Sequence, residues 1–136
     1  MRSINKIIVH CTATPEGRDV SVDTIRKWHV EDNGWSDIGY HWIIMLSGSI
    51  EKGRDESKPG AHAKGHNANS IGVVYVGGCD KNMNPKDTRT DGQKESLRCL
   101  LEDMKVRYPN AQIIGHRDVS NKACPSFDAK KEYSYI

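Results

Sequence analysis

Imidazoles and thiolates are the side chains zinc prefers, and this chain offers six histidines and four cysteines. Three of them stand apart by position. His10 ends an apolar run (Ile7, Ile8, Val9) and His116 ends another (Ile113, Ile114), so both fall at the ends of expected strands. Cys124 follows His116 by eight residues in a polar segment. Lys122 lies beside it, a cation that favours the thiolate a metal needs, and Pro125 stiffens the backbone. Three protein ligands leave zinc's fourth position to water, the pattern of a catalytic site, whereas four mark a structural one. A plainer reading stands beside this one: His10 as a hydrogen-bonded core histidine and Cys124 as a small buried hydrophobe. Residue types and spacing leave both open.

Other chemistry is easier to set aside. The cysteines (Cys11, Cys79, Cys99, Cys124) form no CxxC pair, and without an oxidising context they read as free thiols or a ligand, not a disulfide framework. The glycines of the 53–69 segment lack the spacing of a nucleotide-binding loop. A balance of 20 basic against 18 acidic residues is no nucleic-acid stripe. No stretch approaches the roughly 20 apolar residues of a membrane helix. The first ten residues hold an apolar run of three, too short for a signal-peptide core, so the chain is expected to start in the cytoplasm.

The elements that must position these residues follow from periodicity. A β-branched run predicts a buried strand over 4–13, whose alternation sends His10 and Cys11 to opposite faces. Ser21 reads as the N-cap of an amphipathic helix to about residue 32, with His29 on its apolar face. Residues 39–46 read as a strand with Tyr40, Trp42 and Ile44 on one face and His41, Ile43 and Met45 on the other; a turn at Ser47-Gly48 pairs it with 49–52. Residues 53–69 form a loop of functional length, 71–76 a central strand, and 79–89 a second polar loop. Thr90 and Gln93 make a capping-box signal for a helix carrying Leu97, Leu100, Leu101, Met104 and Tyr108. A strand over 111–115 and a short helix capped by Ser126 or Asp128 complete the order. This alternation predicts one α/β domain over residues 1–136, a single mixed β-sheet flanked by helices. A monomer is expected.

Five ordered segments then carry a resemblance: IIVHCTAT (7–14), GYHWII (39–44), GAHAKGHNANSIGVVYVGG (60–78), IIGHRDV (113–119) and KACPSFD (122–128). They resemble the zinc-dependent N-acetylmuramoyl-L-alanine amidases, nearest to the small lysozyme-amidases of T-odd phages, with the peptidoglycan-recognition proteins sharing the fold more distantly. The resemblance implies that His10, His116 and Cys124 hold Zn2+ and that Tyr40 and Lys122 are catalytic. It also implies that the 60–70 loop walls a groove in which His62 contacts substrate and Asn69 holds either substrate or loop backbone. The implied reaction is hydrolysis of the amide between N-acetylmuramate and L-alanine in bacterial peptidoglycan, as in an endolysin of a phage or prophage. Having no signal peptide, such an enzyme reaches the wall after release or delivery by another factor. A phenol of reference pKa about 10 is a poor base unless a cation lowers it, so Tyr40 is expected to orient water or shuttle its proton. The competing function is a peptidoglycan-binding module of the same fold that does not cut; Cys124 at the third ligand position argues for the enzyme.

Overall fold

In a computed structural model of the chain, residues 2–136 are described. The central strand is β1 (Lys6–Cys11), buried from Ile7 onward. It lies between β5 (Ser70–Tyr75) and β7 (Gln112–Gly115), parallel to both. Outside β5 come β3 (Trp42–Ile44), parallel to it, and β4 (Ile50–Lys52), antiparallel to β3, so the sheet order is β4-β3-β5-β1-β7. Strands covered on both faces read as continuous apolar runs rather than alternating ones, which is how IIV and IGVVY stand in the sequence.

Three helices supply the cover: α1 (Val22–Lys27), α2 (Asp91–Arg107) and α3 (Ala129–Glu132). Ile7, Val9 and Cys11 pack with Leu97, Leu101 and Met104 of α2. Across the sheet, Ile43 and Val74 pack under Ile25 of α1. The expected layered α/β architecture and the separation of His10 from Cys11 are thus both observed. Two short strands not anticipated, β2 (Thr14–Pro15) and β6 (Gly78–Cys79), pair in parallel beyond the main sheet.

Two elements depart from expectation. The first helix keeps its Ser21 cap, but its α-helical part ends at Lys27 and a π-helical turn (Trp28–Asp32) completes it, closed by Asn33 N–H donating to Trp28 O at 3.1 Å. The strand expected over 39–46 shrinks to β3. Gly39 lies so close to the Ala61 backbone that a side chain there has no room, and residues 39–41 bend around the 53–69 loop. The bend breaks strict alternation: Tyr40 packs with Ile43, whereas Trp42 joins the cluster holding Ile44. Tyr40 therefore does not share the face of Trp42.

The longest helix starts as the capping-box signal indicates. Thr90 accepts from Gln93 N–H at 3.0 Å and the Gln93 side chain accepts from Thr90 N–H at 3.0 Å, while its amide group donates to Val76 O. Replacing an N-cap threonine costs about 1 kcal/mol. Thr90→Ala should therefore lower the free energy of unfolding, measured by urea titration, by about that amount.

Candidate active site

Strand register creates the site. In the β1–β7 pair Val9 lies opposite Gly115, so the next residues, His10 and His116, emerge side by side at the carboxyl ends of neighbouring parallel strands. Their rings sit 4.5 Å apart between centroids. His10 is essentially inaccessible, and His116, which opens a 3₁₀ turn (His116–Asp118), is half-buried. Asp118 fixes that turn by accepting from Gly115 N–H at 2.8 Å.

Cys124 is brought to the histidines by the chain folding back. Arg117 N–H donates to Cys124 O at 2.7 Å, the Tyr75 hydroxyl donates to Pro125 O at 2.7 Å, and Ser126 Oγ donates to Gly78 O at 2.8 Å. Gly115 has no side chain because Pro125 occupies that space: a Cβ would stand 2.8 Å from Pro125 Cδ. Cys124 Sγ then lies 3.8 Å from His10 Nδ1 and accepts from Cys11 N–H at 3.1 Å. One donor atom each from His10, His116 and Cys124 lies within 4.8 Å of the others. Zinc held tetrahedrally at its usual bond lengths separates a nitrogen and a sulfur ligand by about 3.6 Å. The two-imidazole, one-thiolate set fits zinc in chemistry and in spacing.

The electrostatics suit ligands more than bases. Burial, with His62, His116 and Lys122 nearby, holds His10 well below the ordinary imidazole value of 6.5. Burial and Lys122 lower His116 as well. Both present neutral rings with a lone pair free. The thiols behave otherwise than their sequence neighbourhood suggests. Hydrogen bonding with Cys11 and burial push the Cys124 thiol up despite the nearby Lys122, and the same pairing brings Cys11 down to about 7. A metal ion held there would reverse the balance at Cys124, since coordination deprotonates a thiol.

The donor trio lines a hollow of about 290 Å³ together with Tyr40, Lys122, His29, Trp35 and His62. Sharing Trp35, His62, His116 and Lys122, it continues into a groove of about 570 Å³ walled by Lys64, Asn67 and Val119. The Tyr40 ring stands 5.1 Å from that of His10 and is backed by His29, whose Nδ1 accepts from Gly39 N–H. Burial raises the Tyr40 pKa, followed by the influence of Cys124 and Cys11, so the phenol is a neutral donor. Lys122 is exposed at the rim and its ammonium joins no ion pair among the described residues.

The two residues expected on substrate are placed differently. His62 lines the hollow, yet both its ring nitrogens are engaged, Nδ1 with His10 Nε2 at 2.8 Å and Nε2 with Ser70 Oγ at 3.2 Å. Asn69 donates to Ser3 O at 2.8 Å and lines neither cavity; it ties loop to backbone, while Asn67 is the asparagine of the groove wall. His41 is structural, accepting from Gly72 N–H at 2.9 Å and contacting Lys58 O. Sequence reasoning missed Trp35, whose one signal was an apolar side chain in a polar loop, and the Cys11 amide, which has no signal in a side-chain pattern.

The chain is similar to known proteins along most of its length. The family model described as N-acetylmuramoyl-L-alanine amidase matches residues 1–127. The endolysin of Klebsiella phage KP32 is 49% identical over 127 residues, covering 93% of this chain and 83% of the relative. The endolysin of Escherichia phage T7 is 48% identical over 129 residues, covering 95% and 85%. Among solved structures, the N-acetylmuramoyl-L-alanine amidase LysC from Clostridium intestinale superposes with a TM-score of 0.81 at 30% identity, covering 96% of this chain and 82% of that one.

Burial of neutral histidines gives a signed pH dependence. His62 is lowered from 6.5 to about 3, chiefly by burial. Below 6.5 the unfolded chain takes up a proton that the folded chain refuses, so this contribution is complete above 6.5 and is lost as pH falls toward 3. The slope is about 1.4 kcal/mol per pH unit for each such group. Urea unfolding of the metal-free protein across this window should show a steeper loss in the wild type than in His62→Asn; equal slopes contradict the assignment.

Proposed function

The chain belongs to the N-acetylmuramoyl-L-alanine amidase family, and from that premise we propose that it cuts the peptidoglycan amide with a zinc ion held by His10, His116 and Cys124. The hydrolysis itself, at the bond between N-acetylmuramate and L-alanine, is the activity of the family and of its endolysin members. The observation that carries the metal reading is the convergence of three donor atoms, drawn from three separate segments, at the head of the groove. His10, His116 and Cys124 would hold the zinc, which would supply a Lewis acid and lower the pKa of water to about 7. Because His10, His116, Cys124, Tyr40 and Lys122 all come from one chain, one domain suffices as a monomeric catalyst.

The chain's own residues account for the rest. The groove seats the stem peptide so that the scissile carbonyl lies at its metal end. As that carbon becomes tetrahedral its oxygen gains negative charge, and the Lys122 ammonium at the rim is the preorganised cation to receive it. Tyr40, held neutral by burial, donates a hydrogen bond that orients the attacking water or the oxyanion; a phenol with a raised pKa does not serve as the base. The substrate is a wall polymer, and among the described residues no helix is long and apolar enough to cross a membrane.

Purified protein should solubilise peptidoglycan with release of new N-terminal alanine amines, stop on chelation and recover on zinc addition. Cys124→Ser should lose zinc and activity together, whereas Cys11→Ser should keep its zinc. Lys122→Ala and Tyr40→Phe should keep zinc and lose about 100-fold in kcat, the range for one preorganised donor. Zinc content by mass spectrometry beside the amine assay decides the ligand set: full activity in Cys124→Ser rules it out, and tight muropeptide binding without turnover supports the binding-module alternative.

A further inference from the structure

We infer that His62 is a positioning residue for the metal centre, holding His10 in the one tautomer that can bind metal, and is not a contact to substrate. The inference rests on the zinc reading above. His10 Nδ1 faces Cys124 Sγ, so that nitrogen must carry a lone pair to act as a ligand. Its proton is then on Nε2, 2.8 Å from His62 Nδ1, which must accept. His62 in turn carries its proton on Nε2 and donates to Ser70 Oγ at 3.2 Å. The chain of bonds from Ser70 through His62 to His10 leaves a single protonation pattern compatible with the metal. Ligand histidines commonly give their second N–H to a carboxylate or carbonyl, which fixes tautomer and ring orientation. Here a neutral imidazole takes that place.

The surroundings of His62 are built for this. β5 is buried along its whole length, yet Gly72 interrupts it, and a Cβ there would stand 2.7 Å from His62 Cγ and Cδ2. Glycine inside a strand marks a close approach, and the group approaching is this ring. Gly60 clears the other flank, where a Cβ would meet His62 Cδ2 at 2.6 Å and His41 Cε1 at 3.0 Å. Asn67 Oδ1 accepts from the N–H groups of His62 and Ala63, each at 3.0 Å, fixing the backbone that presents the ring. The His41 ring stands edge-on to it at 5.8 Å. With both ring nitrogens occupied and the residue buried, no polar side-chain atom of His62 is left for substrate.

The test compares His62→Phe, which keeps a ring but no acceptor, with His62→Asn, whose carbonyl oxygen can take the place of Nδ1. Zinc dissociation constants are measured by competition with a chromophoric chelator, and nitrogen-15 NMR of the zinc-loaded wild type reads the tautomers. The expected result is a loss of about 10–100-fold in zinc affinity for His62→Phe, recovery of most of it in His62→Asn, and protons on Nε2 of both His10 and His62. Ser70→Ala, at the far end of the relay, should weaken zinc by a smaller factor, and it decides the matter if His62→Phe does not fold. Unchanged zinc affinity in these variants with a raised KM overturns the inference in favour of substrate contact. A wild type that binds no zinc instead overturns the metal reading itself, so the two failures are distinct.

Discussion

The pairing of β1 with β7 is the constraint on which the site depends. Residues opposite one another on parallel strands present their side chains to the same face, so opposing Val9 to Gly115 aligns His10 with His116. A slip of one residue would turn one imidazole into the opposite layer, against α2. That register is secured from both sides: Ile7 and Ile8 are fully buried opposite Ile113 and Ile114, and β5 fixes the other edge of β1 through Lys6 to Cys11. Apolar packing of the sheet, not the polar groups, decides where the donors stand. The polar groups then refine what the packing has placed.

Refinement costs the fold something. Burying imidazoles requires that they stay neutral and find partners, and the structure meets this with an unusual density of rings. His10 touches Tyr40, His62 and His116, and His62 touches His41. Glycines at 60, 72 and 115 remove the side chains that would otherwise keep these groups and Pro125 apart. Among the described residues no fully buried side-chain polar atom is left without a hydrogen-bond partner.

Much of this was legible in the sequence because the signals are local. The runs of β1 and β5, the Ser21 and Thr90 caps and the turn between β3 and β4 depend on neighbours within a few residues, and they form where the sequence indicates them. The trio was readable as two strand ends and a loop thiol, but only as one of several metal sets until ordered similarity to a family narrowed it. What was not legible shares a cause at long range. The face of Tyr40 turns on the Ala61 backbone pressing against Gly39, a contact between segments 22 residues apart in number that no periodicity encodes. Asn69 and Asn67 are two residues apart and chemically identical; only the path of the loop decides which one meets the groove. Hydrogen bonding with Cys11, at the other end of the chain, and burial push the Cys124 thiol up despite the lysine two residues before it that the sequence makes conspicuous.

That separation has a thermodynamic meaning. His10 and Cys124 are 114 positions apart, and the contact between their donor atoms exists only when the sheet, the turn after β7 and the fold-back loop are all formed. An ion bound by both is a cross-link closing a loop of nearly the whole domain. In chain-entropy terms a disulfide across about 100 residues is worth about 4.7 kcal/mol, and a reversible bridge draws on the same loss of freedom in the unfolded chain. Ion occupancy and global unfolding would then be a single linked equilibrium, with stability rising as the logarithm of free metal concentration.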